Sequence, residues 1–231
     1  MAEKVIGILG GMGPEATIDL FRKIVESTAA RTDQEHLRII VDNNPKIPDR
    51  TAALLHGGED PTPLLQATAR NLERAGADFI VMPCNTAHLY YDEVVEAVRI
   101  PVLHIAVETV GEVLRQYPLA RTVGVLGSSG TVKLRLYHDL LEERGLRAIS
   151  SPEDDQRIQD AVIHSVKAGD KGQAVHERIR TVAERLAERG AQLLLTACTE
   201  LPLVLQDGDV SVPVLDPTLA LARAAVRFAR E

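Results

Sequence analysis

Short aliphatic runs alternate along the chain with longer stretches of helical period. The runs are VIGIL at 5-9, LRIIV at 37-41, DFIVM at 78-82, PVLHI at 101-105, TVGVL at 122-126, AQLLL at 191-195 and VPVL at 212-215. Most are continuously apolar, the pattern of strands buried on both faces of a parallel sheet. Between them the period changes. Val175, Ile179, Val182, Ala183 and Leu186 recur at i, i+4, i+7, i+8 and i+11, which lays one apolar face along a helix. Asp60 followed by Pro61 predicts an N-cap with proline at the first helical position, and Asp170 is a second N-cap candidate. The expected fold class is α/β with parallel-rich sheets.

The pattern also repeats. VIGILGG at 5-11 resembles TVGVLGS at 122-128, so that Gly7 and Gly10 match Gly124 and Gly127 at an offset of 117 residues. LERAGADFIVMPCNT at 72-86 matches LAERGAQLLLTACTE at 186-200 at an offset of 114, which superposes Cys84 on Cys198. IPVLHI at 100-105 matches VPVLDP at 212-217 at an offset of 112. Three segments in one order imply a duplicated α/β unit. Two pseudo-symmetric halves are expected to bring both strand ends, and both thiols, to one cleft.

Composition narrows the function. A chain of 231 residues holds one large domain or two small ones, and 45% hydrophobic residues exclude a disordered chain. Lys and Arg number 26 against 33 Asp and Glu, a net charge of −7 with no basic run, which speaks against nucleic acid and anionic membrane as partners. MAEKVIGILGG carries an acid at its third position and a glycine break in its apolar stretch. It predicts neither a signal peptide nor a membrane span, and hence a cytoplasmic protein. The 2 cysteines match no disulfide or metal spacing.

Candidate chemistry sits where runs end. GGMGPEAT at 10-17 passes from strand to helix, where backbone N–H groups can hold an anion. A dinucleotide fits it poorly, because Pro14 removes a donor and Asp42 lies 29 residues past Gly13 instead of about 20. PCNTAH at 83-88 and ACTELP at 197-202 each place a cysteine at the C-terminal end of a strand. A lone cysteine there would read as inert core; a duplicated one suits a base on one face of a carbon and an acid on the other. Helix N-termini and nearby cations are expected to lower the thiol pKa values. Asn85, Thr86, Thr199 and Glu200 follow directly, with backbone donors for a developing carboxylate charge. Arg50, in IPDRT at 47-51, is read as a loop residue with the fork that grips a carboxylate, and Lys167 as complementing a helix C-terminus. His88, His104 and His164 are read as hydrogen-bonded structural residues, and no metal site is expected.

Taken in order, GGMGPEAT, IPDR, PCNTAH, GSSGT at 127-131, IHSVKAG at 163-169 and ACTEL resemble the aspartate/glutamate racemase family across essentially the whole chain. The resemblance implies a cofactor-independent amino-acid racemase of two α/β subdomains, with the final strand and helix packed on the first. The boundaries then read as 1-98 plus 210-231 and 99-209. It makes Cys84 and Cys198 the acid/base pair, with Cys84 taking the α-proton of the D-enantiomer and Cys198 that of the L-enantiomer. Met12, Asn85, Thr86, Thr131, Thr199 and Glu200 match positions lining the substrate. Arg50 and Lys167 match the pair that holds the distal carboxylate of an amino diacid. A homodimer is expected. The alternatives are another cysteine-dependent reaction of the superfamily (decarboxylation, cis-trans isomerisation or hydantoin racemisation) and a non-catalytic module binding an anion or nucleotide at GGMGPEAT.

Overall fold

The aliphatic runs become the strands of two parallel sheets in the computed structural model, which describes residues 3–231. The first unit runs to Glu108 and resumes at Thr218. It holds β1 (Ile6–Gly10), α1 (Pro14–Ser27), β2 (Ile39–Asn43), α2 (Arg50–His56), α3 (Thr62–Arg74), β3 (Phe79–Val81), α4 (Tyr91–Val95) and β4 (Val102–Leu103). Its strands lie in the order β2-β1-β3-β4, all parallel. Helix α5 (Ile105–Gln116) spans the boundary to the second unit, Thr109–Pro217. There follow β5 (Thr122–Gly127), α6 (Ser129–Lys133), α7 (His138–Glu143), β6 (Arg147–Ser150), α8 (Glu153–Lys167), α9 (Gln173–Glu188), β7 (Leu193–Ala197) and β8 (Val214–Leu215). The order β6-β5-β7-β8 repeats that of the first sheet, again all parallel. Helix α10 (Pro217–Arg230) ends the chain.

Alternation along the strands fixes what each face meets. Ile6 and Ile8 of β1 and Phe79 and Val81 of β3 share a core with Leu20 and Ile24 of α1 and Leu221, Ala225 and Val226 of α10. The intervening positions, Leu9, Ile80, Met82 and Cys84, face a second core with Leu65, Ala69 and Leu72 of α3. In the second unit Leu126, Leu194 and Cys198 share the core built by Val162 and Val166 of α8 and the stripe Val175, Ile179, Val182, Ala183 and Leu186 of α9. Cys84 therefore lies on the α3 side of its sheet, and Cys198 on the side of its own sheet covered by α8 and α9. The repeat is visible atom by atom. A Cβ on Gly7 would meet Ala77 Cβ at 2.8 Å and Leu72 Cβ at 3.5 Å. One on Gly124 would meet Leu186 Cδ2 at 2.9 Å and Ala191 Cβ at 3.0 Å, the repeat partners of Leu72 and Ala77. Glycine lets helix and strand close together at both places.

Several expectations shift. Residues 210-231 do not return to the first unit together: α10 packs there, but β8 pairs with β7 of the second sheet. Likewise β4, inside the range 99-209, pairs with β3 of the first. The repeat explains both, since IPVLHI and VPVLDP each supply the last strand of their own sheet. β6 has no counterpart among the apolar runs, because RAIS is a partly exposed edge strand with few apolar side chains. Arg50 opens helix α2 instead of lying on a loop, because Asp49 Oδ1 accepts the N–H of Ala52 at 2.8 Å and caps it. Helix α3 starts one residue later than read, with Pro61 at the N-cap and Asp60 Oδ1 accepting from Thr62 N–H at 2.9 Å. Asp170 accepts from Gly172 N–H, so Gly172 is the residue that caps α9. No helix among the described residues is long and apolar enough to cross a membrane.

Candidate functional site

In each sheet the strand order reverses beside the first strand, between β1 and β3 and between β5 and β7. Ligands of open parallel sheets bind at the carboxyl ends of strands at such a switch point. The four singled-out loops leave from these four ends: GGMGPEAT after β1, PCNTAH after β3, GSSGT after β5 and ACTEL after β7.

At the first sheet, Gly11 has φ +97°, and a Cβ there would lie 2.3 Å from the Asn44 backbone, so only glycine carries the chain out of β1 along this path. Its N–H donates to Thr17 Oγ1 at 2.9 Å, and Pro14 begins α1. The turn presents the Met12 carbonyl to Arg50, whose Nη2 donates to it at 3.4 Å. Arg50 Nη1 donates to the carbonyls of Ile47 at 3.2 Å and Pro48 at 2.7 Å. The guanidinium is only 7% exposed, no carboxylate among the described residues pairs with it, and its Nε has no partner. A buried cation held by neutral carbonyls alone has the chemistry to pair with an anion. Cys84 is 6% exposed and its N–H donates to the Met82 carbonyl at 2.9 Å. Asn85 and Thr86 are buried beside it, at the head of a 3-10 turn, Thr86–Tyr90.

At the second sheet, Ser128 caps α6, its Oγ accepting from Thr131 N–H at 3.3 Å, and Thr131 is fully buried. Cys198, 8% exposed, points its Sγ at Glu200 Oε2, 3.0 Å away, and Thr199 Oγ1 donates to the same oxygen at 3.5 Å. Burial and the Glu200 carboxylate push the thiol pKa well above its ordinary value, and the nearby Lys167 charge only partly opposes them. The expected lowering at this cysteine does not hold. The helical turn after it, Leu201–Leu203, is three residues long, too short to offset desolvation beside a carboxylate. Cys198 is thereby held as a thiol, a proton donor.

Met12, Arg50, Cys84, Asn85 and Thr86 accordingly gather at the first switch point. Thr131, Cys198, Thr199 and Glu200 gather at the second, and Lys167 is the exposed last residue of α8. Glutamines 156 and 159 escaped the reading of the sequence. Gln159 Oε1 accepts the Gly127 N–H at 3.0 Å and Gln156 Nε2 donates to the Gly127 carbonyl at 2.8 Å, clamping the peptide that leads into GSSGT. The signal was present: both lie in phase with Val162, Ile163 and Val166 on the buried side of α8, where a polar residue needs a partner. No group of three or more His, Cys, Asp or Glu converges on a metal position among the described residues.

The profile of the Asp/Glu/Hydantoin racemase family matches residues 9–225. Over 228 residues, 96% of either chain, the sequence is 30% identical to the broad specificity amino-acid racemase RacX of Bacillus subtilis (strain 168). The structure is similar to Picrophilus torridus aspartate racemase, with a TM-score of 0.89 and 32% identity over 98% of this chain and 94% of that one. It is also similar to an aspartate racemase homologue from Pyrococcus horikoshii OT3, with a TM-score of 0.78 and 28% identity over 99% of this chain and 100% of that one.

Proposed function

Because the chain belongs to the Asp/Glu/Hydantoin racemase family, we propose that it racemises an acidic amino acid, aspartate or glutamate, by two-thiol proton transfer without a cofactor. The observation that carries this reading is the equivalence of Cys84 and Cys198, each just past the third strand of an identically ordered sheet and each flanked by buried polar residues.

One thiolate removes the α-hydrogen as a proton, leaving the electron pair on the carbon and its carboxylate. The opposite thiol returns a proton to the other face. One C–H bond breaks and one forms, with no net oxidation. Cys198 holds its proton and serves as the acid when Cys84 takes the α-proton of the D-enantiomer. For the L-enantiomer the Cys198 proton must leave first. The substrate α-ammonium competes for the Glu200 carboxylate, and pairing with it weakens the charge that holds that proton. Arg50 and Lys167 take the distal carboxylate, which centres the α-carbon for proton transfer.

The test is α-hydrogen exchange in deuterated water with purified protein and no added cofactor, across a panel of enantiomers with chiral product analysis. Exchange and racemisation of aspartate or glutamate, lost on Cys84→Ala or Cys198→Ala, is the expected result. Full activity in either variant removes the two-thiol mechanism. Inertness toward both diacids, with turnover of neutral amino acids, replaces the acidic substrate by a broad one, the specificity described for RacX.

A further inference from the structure

Resting on the reading that Cys84 carries an α-proton, we infer that His88 is the positioning residue for that thiol, tying the Cys84 carbonyl to the first backbone N–H of helix α5 through its two ring nitrogens. In an α-helix the Cys84 carbonyl would accept from the N–H of residue 88. The turn here is 3-10, and His88 N–H goes instead to the Asn85 carbonyl at 3.0 Å. The Cys84 carbonyl would be left without a helical partner. The side chain replaces the missing bond, with His88 Nδ1 lying 2.8 Å from the Cys84 oxygen.

The proton on the ring is assigned by its other contact. Ile105 N–H can only donate, and it meets His88 Nε2 at 3.1 Å, so Nε2 is the acceptor and Nδ1 carries the hydrogen. Both nitrogens are then occupied by backbone, and neither serves the thiol as a base. The cysteine–histidine pair in PCNTAH is a mechanical one.

The surroundings keep the ring in that state. His88 is 3% exposed, with its ring centroid 4.8 Å from that of His104 and 6.3 Å from that of Tyr91. His104 Nδ1 in turn accepts from Ala106 N–H at 3.2 Å. Burial and His104 push the His88 pKa down to about 3, against the opposing pull of the Cys84 and Leu103 carbonyls. A neutral ring keeps one tautomer and one pair of bonds through the neutral range. The Cys84 sulfur thus stands on a link that reaches α5.

Two substitutions separate the two bonds. Asparagine places a donor near the Nδ1 position and can keep the Cys84 bond, whereas glutamine reaches the Nε2 position and can keep only the Ile105 bond. The two enantiomers have equal free energy, so kcat/KM must change equally in the two directions of racemisation. Exchange of the α-hydrogen with solvent is free of that constraint. His88→Gln is expected to slow α-hydrogen loss from the D-enantiomer by about 10²-fold with KM little changed, since misplacing a reacting group by about 1 Å costs that much. Loss from the L-enantiomer, which Cys198 begins, should change only a few-fold, and His88→Asn should restore most of the D-exchange. Equal slowing for both enantiomers, or no advantage of Asn over Gln, overturns the inference. Absence of any exchange in the unaltered protein refutes the racemase reading itself. Should the variants lose their cooperative melts, nitrogen-15 spectra of the unaltered protein decide. A single Nδ1–H tautomer that does not titrate between about pH 5 and 9 is expected, and an Nε2–H tautomer or a titration in that window overturns it.

Discussion

Cys198 donates its thiol proton to Glu200 across 3.0 Å, so the group that orients the sulfur also retains its proton. Glu200→Gln keeps an acceptor and removes the charge, and since that carboxylate helps raise the thiol pKa, the pKa should fall. In a Cys84→Ala background, the ultraviolet absorbance of the Cys198 thiolate should appear at lower pH than with Glu200 intact. A midpoint that stays put or rises would show that burial alone holds the proton.

Acid should weaken the fold through His88. Its folded pKa of about 3 lies below the 6.5 of an unhindered imidazole, so the unfolded chain takes up a proton where the native one does not. The stability this neutral ring contributes is complete above about pH 6.5 and is lost as pH falls toward 3, at up to roughly 1.4 kcal/mol per unit. Denaturant titrations at pH 6.5 and 4.5 should therefore differ more for the unaltered protein than for His88→Asn. Parallel losses in the two would assign the acid limb to other groups.

Arg50 predicts a ligand response. Removing a charged hydrogen-bonding group costs about 1.5–3 kcal/mol, roughly 10- to 150-fold. Arg50→Leu should lower kcat/KM for aspartate and glutamate by that factor, and Arg50→Lys, which keeps the charge but not the fork, by less. Malonate or succinate should raise the thermal midpoint of the unaltered protein and leave that of Arg50→Leu where it is. A shift of equal size in the variant would mean that the anion sits elsewhere.

The two repeat-related glycines should differ in tolerance. On Gly7 an added methyl would strike Ala77 Cβ at 2.8 Å and the Phe79 carbonyl oxygen at 3.1 Å, neither of which can swing away. On Gly124 the closest atoms are Leu194 Cδ2 at 2.6 Å and Leu186 Cδ2 at 2.9 Å, the ends of flexible side chains, and the unyielding Ala191 Cβ stands farther off, at 3.0 Å. Overpacking typically costs about 1–3 kcal/mol. Gly7→Ala should fall at or above the top of that range and Gly124→Ala lower within it, read from denaturant midpoints; the reverse order would contradict the packing described.

The central strands were legible in the sequence because burial on both faces writes itself as an unbroken apolar run. β6 was not, since an edge strand such as Arg147–Ser150 is under no such demand. The duplication announced Cys84 and Cys198 together, and it also held the correct allegiance of β4 and β8, which the family resemblance obscured for β8. The cap of α2 is written in IPDR, where Asp49 stands directly before the first helical residue. What the sequence could not display was contact between distant polar groups. Glu200 beside Cys198 is two residues away and still reads as a backbone donor until its side chain is seen to turn back on the sulfur. Gln159 reaches Gly127 across 32 residues.

Sulfur chemistry other than proton transfer is held off by the burial of both cysteines. Peroxide attacks a thiolate that it can reach, and the first oxidation product, a sulfenic acid, forms at accessible sulfurs of low pKa. Cys198 fails both conditions, being buried and protonated. A protein whose proposed chemistry rests on reduced sulfur is thus protected at that centre by the carboxylate that delays its ionisation: Glu200 slows the making of a base and, by the same charge, preserves the thiol for repeated use.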